Sequence, residues 1–110
     1  MKFVKIAQTS DFTDSNKKKI SSDGREILLV KTGDSYFAID NKCPHMNGSL
    51  YDGNLEGNNI VCPKHGSVFD VRSGESVQGG KMLFVRFKVN DTHSYPIKLE
   101  GDDILIAIEE

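Results

Sequence analysis

Apolar and polar residues alternate over short stretches along much of this chain. Val4 and Ile6 alternate with lysines, and residues 26–31 are rich in strand-forming side chains. Such alternation over a few residues is typical of a half-buried β-strand. We find no long window with a helical apolar period, so only residues 10–16 are expected to form a short helical turn. The pattern predicts an antiparallel all-β sandwich or small barrel.

Further strands are predicted where β-branched and aromatic residues lie between turn signals. The turn signals fall at residues 22–24, 32–35 and 101–103, and the last is typical of a tight hairpin. The remaining predicted strands cover residues 36–39, 59–62, 67–71, 83–89, 95–99 and 104–108. Lys17, Lys18 and Lys19 are expected in a solvated loop or at the start of a strand. A chain of 110 residues is expected to form a single domain, 1–110.

One long stretch interrupts the strand pattern. Residues 41–57, NKCPHMNGSLYDGNLEG, are poor in strand formers and rich in glycine and asparagine. A loop of this length without its own secondary structure is usually functional or disordered. It contains Cys43 and His45, and a second, shorter loop carries Cys62 and His65. We therefore expect the chemistry of the protein in these two loops.

Composition excludes several classes of function. Fourteen basic and sixteen acidic residues give a net charge of -2, so nucleic acid is not an expected partner. No apolar run approaches the roughly 20 residues of a membrane-spanning helix, so we expect no membrane association and a cytoplasmic location. Two cysteines are too few for a disulfide framework, and a reducing compartment favours metal binding. No catalytic arrangement of side chains is visible, so the chain is not expected to be an enzyme.

The order of cysteine and histidine in the two loops is informative. Together the loops supply two thiols and two imidazoles, a set that suits zinc or an iron–sulfur cluster. Common zinc fingers pair Cys with Cys and His with His, whereas each loop here has one Cys followed closely by one His. This order fits a [2Fe–2S] centre in which two Cys bind one iron and two His bind the other. A single tetrahedral zinc ion is the alternative that these residues leave open.

The segments CPHMNGSL and CPKHGSVFDVRSG resemble the two cluster-binding sequences of Rieske-type ferredoxins. The resemblance extends to residues 23–27, 36–40 and 95–102. It implies a Rieske-type fold in which a loop-rich, cluster-binding part at about 41–75 is inserted in a β base formed by 1–40 and 76–110. It also implies one [2Fe–2S] cluster. The implied ligands are Cys43 and Cys62 on the inner iron and His45 and His65 on the outer iron.

The resemblance also implies which residues surround the cluster. They are Met46, Gly48, Gly66 and Ser67. Met46 would cover the cluster, the glycines would let backbone approach the sulfurs, and the Ser67 hydroxyl would donate to a sulfide. Respiratory Rieske proteins resemble this chain but add one Cys to each loop to form a disulfide, at the positions of Gly48 and Lys64. Phe69 replaces their potential-raising Tyr, so we expect a potential low in the range of roughly -150 to +300 mV.

The resemblance implies a soluble, monomeric electron carrier that takes one electron at a time. Its expected partners are a reductase and a terminal oxidoreductase such as an oxygenase, each bound transiently. One alternative is a Rieske-type small subunit of a larger redox enzyme, as in nitrite reductases. A second alternative is a zinc-stabilised interaction module, which would be colourless.

Overall fold

Short antiparallel strands make up most of the molecule. The computed structural model describes residues 2–22, 24–43, 48–64, 66–78, 80–82, 85–87 and 91–108. The strands are β1 (Lys2–Gln8), β2 (Lys17–Ser22), β3 (Arg25–Thr32), β4 (Ser35–Asp40), β5 (Asn54–Glu56), β6 (Asn59–Val61), β7 (Val68–Asp70), β8 (Ser76–Gln78), β9 (Gly80–Met82), β10 (Val85–Phe87), β11 (Ser94–Tyr95), β12 (Ile97–Glu100) and β13 (Asp103–Ile108). Two short 3₁₀ helices span Thr9–Phe12 and Leu50–Asp52. The prediction of an antiparallel all-β fold is confirmed.

The strands form three sheets and a separate hairpin. One sheet has the order β1-β13-β12, a second has β11-β4-β3-β2, and a third has β5-β6-β7-β8. The hairpin joins β9 to β10. Every one of these pairings is antiparallel. No helix in the described ranges is long and apolar enough to cross a membrane.

Strand β3 lies between two apolar cores. This position explains why its sequence is continuously apolar. Leu28 and Val30 belong to one core, which they share with Ile60 and Phe69 of the third sheet. The residues between them in sequence, Ile27 and Leu29, belong to the other core, which contains Ile104 and Ile106 of the first sheet. Successive side chains on a strand point to opposite faces, so the second sheet forms a middle layer that is buried on both sides.

Two predicted elements differ from the observed ones. Residues 95–99, predicted as one strand, are divided at Pro96, because proline has no N–H to donate to a sheet. Tyr95 on β11 pairs with β4, whereas Ile97 on β12 pairs with β13. The helical turn expected at 10–16 begins earlier, as a 3₁₀ helix over Thr9–Phe12, where the Asp11 carboxylate accepts a hydrogen bond from the Gln8 N–H at 2.9 Å.

The long loop of residues 41–57 was expected to lack secondary structure, and this prediction is wrong. It contains a 3₁₀ helix at Leu50–Asp52, the strand β5, and a β-bridge between Lys42 and Ser49. Strand β5 pairs with β6 across a turn in which Gly57 has a φ of +63°. Only one of its three residues is apolar, so its sequence carries no strand pattern. Strands β8 and β9 were not predicted. A strand was predicted at 83–89, and β10 covers residues 85–87 of it. Residues 83, 84, 88 and 89 lie outside the described residues.

Candidate metal centre

The two cysteines lie in one apolar core at the ends of two different strands. Cys43 follows β4 and Cys62 follows β6, and both side chains are at most 1% exposed. They are not joined in a disulfide. The first loop contacts the second at Gly48. A Cβ added to this glycine would lie only 3.2 Å from the Cys62 Sγ. Gly48 is therefore a point of close approach between the loops.

Both cysteine loops close in the same way. The Cys43 N–H donates to the Gly48 carbonyl at 2.8 Å, and the Cys62 N–H donates to the Ser67 carbonyl at 2.7 Å. Each bond joins a cysteine to the residue five positions later, and each closed stretch contains one histidine in sequence. Gly66, whose N–H donates to the Cys62 carbonyl at 3.1 Å, has a φ of +75°, a conformation that favours glycine.

Part of the expected site lies outside the described residues. This applies to the predicted ligands His45 and His65 and to the predicted cover residue Met46. Within the described ranges, no group of three or more His, Cys, Asp or Glu side chains could hold a metal ion. The assignment of all four ligands therefore stays a prediction.

Asn41 anchors the first loop and was not among the predicted site residues. Its side chain is 1% exposed, and its amide NH₂ donates to the Ser49 Oγ at 2.9 Å and to the Glu26 Oε1 at 3.3 Å. Its Oδ1 accepts the Tyr51 N–H at 2.8 Å. Asparagine combines two donors with one acceptor, so a single buried side chain joins both ends of the loop to β3. The available signal was its position two residues before Cys43.

Ser67 provides a test of whether these residues fit an iron–sulfur cluster. Its side chain is fully buried, and its Oγ has no hydrogen-bond partner among the described atoms. A buried hydroxyl without a partner costs about 1–3 kcal/mol, so such groups usually have an acceptor nearby. Ser67 closes the loop that begins at Cys62, and a sulfide bound beside that thiolate would be such an acceptor. The buried thiols, the close approach at Gly48 and this hydroxyl fit a [2Fe–2S] group.

The carboxylates next to the two loops already have partners. The Asp70 carboxylate accepts hydrogen bonds from the Arg72 side chain at 2.7 and 3.0 Å, and these bonds lower the pKa of Asp70. Asp40 accepts a hydrogen bond from the Tyr95 hydroxyl. Burial raises the pKa of Tyr95, and the bond to Asp40 adds to this effect. Asp40 is the last residue of β4, and Asp70 is the last residue of β7.

Residues 2–86 match the Rieske [2Fe-2S] domain family. The chain belongs to this family. A similar protein of this kind is the ferredoxin component of the naphthalene 1,2-dioxygenase system of Pseudomonas putida. It is 27% identical over 108 residues, which are 98% of this chain and 97% of the relative.

Solved structures resemble this Rieske domain over nearly its whole length. The ferredoxin of carbazole 1,9a-dioxygenase from Nocardioides aromaticivorans IC177 is 28% identical with a TM-score of 0.83, covering 99% of this chain and 100% of that one. A structure of reduced oxygenase in complex with oxidized ferredoxin in carbazole 1,9a-dioxygenase matches with 23% identity and a TM-score of 0.78, covering 96% and 92%. The expected Rieske fold is thus confirmed, and the family supports a [2Fe–2S] cluster as the cofactor.

Proposed function

We propose that this Rieske domain binds its cluster through Cys43 and Cys62 on the inner iron and through His45 and His65 on the outer iron. When bound, the cluster accepts and returns one electron, at a higher potential than a four-cysteine cluster, because two neutral imidazoles replace two thiolates. The observation that carries the proposal is the matching closure of two loops around two buried cysteines. Beside them lies the Ser67 hydroxyl, which has no partner among the described atoms.

The protein's own residues hold and shield the centre. The backbone bonds from Cys43 to Gly48 and from Cys62 to Ser67 fix the sulfur-bearing residues in a dry core. Asn41 ties the first loop to β3. Loops held in this way change little between redox states, which favours fast electron transfer. Gly48, Gly66 and Ser67 are proposed to contact the cluster sulfurs, and Met46 is proposed to cover them.

The chain is an electron carrier rather than an enzyme. Its relatives are named as ferredoxin components of oxygenase systems, and one structural neighbour is a ferredoxin in complex with its oxygenase. By analogy, this chain passes electrons between a reductase and a terminal oxygenase in transient complexes. We propose that it is a cytoplasmic monomer. We also propose a cluster-binding part at about 41–75 on a β base formed by 1–40 and 76–110.

The decisive experiment measures iron, acid-labile sulfide and ligand nitrogen in the purified protein. We expect two irons and two sulfides per chain. After labelling of all histidines with ¹⁵N, pulsed electron paramagnetic resonance of the reduced protein should show coupling from two imidazole nitrogens. The third histidine, His93, is exposed, so a His93→Ala variant should keep both couplings. Loss of either coupling in that control, or zinc without sulfide, would contradict the ligand assignment.

The same preparation distinguishes the two alternative functions. A zinc-stabilised interaction module would be colourless, whereas the iron–sulfur protein should absorb visible light. A small subunit of a nitrite-reductase-like enzyme should be purified with a larger protein. Elution of the coloured protein at the size of a 12.2 kDa monomer supports the free carrier.

A further inference from the structure

Two lysines are the only charged residues in the parts of the two loops that close on the cysteines, residues 41–49 and 62–67. Residues 41–49 and 62–67 contain Lys42 and Lys64 and no carboxylate. Both lysines are exposed. The ion pairs found among the described residues are Lys5–Asp103, Arg72–Asp70 and Lys98–Glu100, so neither loop lysine takes part in one.

The geometry places both lysines beside the cysteines. The Cγ of Lys64 lies 2.9 Å from the position of a Cβ on Gly48, and that position is 3.2 Å from the Cys62 Sγ. Lys42 directly precedes Cys43, and its backbone pairs with Ser49 at the base of the first loop. Both lysine side chains therefore start from backbone positions next to the cysteines, within about 8 Å of them, which is the Debye length at physiological ionic strength.

The carboxylates that flank or bind the first loop lie outside the closed stretch. Asp40 is the last residue of β4 and accepts the Tyr95 hydroxyl, and Glu26 on β3 accepts the Asn41 amide. Asp52 lies on the 3₁₀ helix after the first loop. The chain has a net charge of -2, so the closed loops, which carry +2, differ in sign from the remaining residues, which together carry -4.

We propose that Lys42 and Lys64 form a positively charged rim that docks an acidic surface of a redox partner protein beside the cluster. This inference rests on the proposed function and names the chemistry of the partner. An acidic partner is repelled by the net negative charge of the chain and attracted at the rim, where both loop charges are positive. That difference orients the encounter, so that the partner meets the face through which the electron leaves.

Small oxidants of opposite charge test the sign of the electrostatic potential at this rim. The reduced holoprotein is mixed in a stopped-flow instrument with hexacyanoferrate(III), an anion, or with hexaammineruthenium(III), a cation. One electron passes from each protein molecule to one oxidant, which yields hexacyanoferrate(II) or hexaammineruthenium(II). We expect the rate with the anion to fall as salt increases and the rate with the cation to rise. The net charge alone predicts the opposite signs, and that result would overturn the proposal.

Charge-removing variants assign the effect to the two lysines. The double variant Lys42→Gln/Lys64→Gln keeps the Cβ and Cγ atoms, so the packing of residue 64 against Gly48 is retained. We expect its rate with hexacyanoferrate(III) at low salt to fall by about three- to tenfold. The control is Lys2→Gln, an exposed lysine on β1 in the other outer sheet, which removes one charge and should change the rate less than twofold. An equal effect per charge at Lys2 would contradict a local rim.

A carboxylate-terminated monolayer on gold serves as an extended acidic surface. At low salt, we expect the wild-type protein to exchange electrons with this electrode and the double variant to lose most of the current, with the reverse order on an amine-terminated monolayer. Equal currents from both proteins on both surfaces would overturn the rim. Absence of visible absorbance and of current in every arm would instead contradict the proposed function itself.

Discussion

Ser67 is the residue whose role depends most directly on the cluster, through its hydroxyl. It is fully buried, and no described protein atom accepts its hydrogen bond. Ser49, in the first loop, offers a contrast, because its Oγ accepts the Asn41 amide at 2.9 Å. The two serines therefore differ in role. The Ser67 hydroxyl is available to a sulfide, whereas the Ser49 hydroxyl holds its loop together.

We predict that Ser67→Ala lowers the reduction potential. A hydrogen bond to a sulfide stabilises the reduced, more negative cluster, so its loss favours the oxidised form. A loss of about 1–1.5 kcal/mol corresponds to a fall of about 40–60 mV for one electron, measured by voltammetry. Ser67→Thr, which keeps a hydroxyl, should restore part of the potential. Ser49→Ala should instead reduce stability while the potential stays nearly constant, and equal shifts in both variants would refute the role of Ser67.

The sequence indicates residues whose chemistry is local, but it does not indicate residues defined by tertiary contacts. Gly48, Gly66 and Ser67 lie in the two closed loops, and their expected contacts with a cluster stay a prediction. Asn41 was missed because its partners, Glu26 and Tyr51, lie 15 and 10 positions away. No local pattern distinguishes an asparagine that anchors a loop from one in an ordinary turn.

At the level of elements, β2 is connected to the 3₁₀ helix that follows the first cysteine loop. The Lys17 Nζ donates to the Tyr51 carbonyl at 2.8 Å and to the Gly53 carbonyl, and it lies 5.4 Å from the centre of the Tyr51 ring. These carbonyls lie at the C-terminal end of the helix, where acceptors have no intrahelical donor and a cation is favourable. Lys17 therefore holds the first loop against the middle sheet.

We predict that Lys17→Met lowers the free energy of unfolding by about 1–3 kcal/mol, because it leaves two partly buried carbonyls without their charged donor. Methionine keeps a long apolar side chain, so packing against Tyr51 is largely retained. The control is Lys19→Met on the same strand, where the side chain is exposed, and we expect a change within about 0.5 kcal/mol. Urea unfolding of the three proteins measures the difference. A similar loss in both variants would mean that charge on β2, rather than the contact with the helix, matters.

The lysine run shows why some elements could be predicted only in part. A strand start was one of its two expected forms, and β2 does begin at Lys17. The sequence gives no sign that the first of three lysines is partly buried, since that depends on carbonyls more than 30 positions away. Strands β5 and β8 were missed for a related reason. Each has three residues, too few to show alternation, and each is placed by pairing with its neighbour.

At the scale of the whole molecule, the segment around Pro96 connects the middle sheet with the first sheet. Tyr95 on β11 pairs with β4, and the Pro96 carbonyl accepts the Ala107 N–H at 3.0 Å. The Tyr95 side chain is 4% exposed, donates to Asp40 and packs edge-on against His93 at 4.7 Å between ring centres. One tyrosine therefore joins the C-terminal segment to the strand that leads into the first cysteine loop.

Because the pKa of Tyr95 is raised, the contribution of Tyr95 to the free energy of unfolding depends on pH. The fold stabilises the protonated phenol, and this sets the direction of the dependence. Burial and the bond to Asp40 both favour the neutral phenol in the folded state. The stabilising effect is complete below the pKa of an unfolded tyrosine, about 10, and is lost as the pH rises through the higher value of the folded protein.

We predict that Tyr95→Phe lowers the free energy of unfolding by about 1–2 kcal/mol at pH 7 and makes it fall less steeply above pH 10. Urea unfolding followed by circular dichroism from pH 7 to 11 measures both effects. The control is Tyr36→Phe, a half-buried tyrosine that packs edge-on against Phe12 with ring centres 5.2 Å apart. If Tyr95→Phe and wild type lose stability in parallel above pH 10, another group causes the alkaline loss.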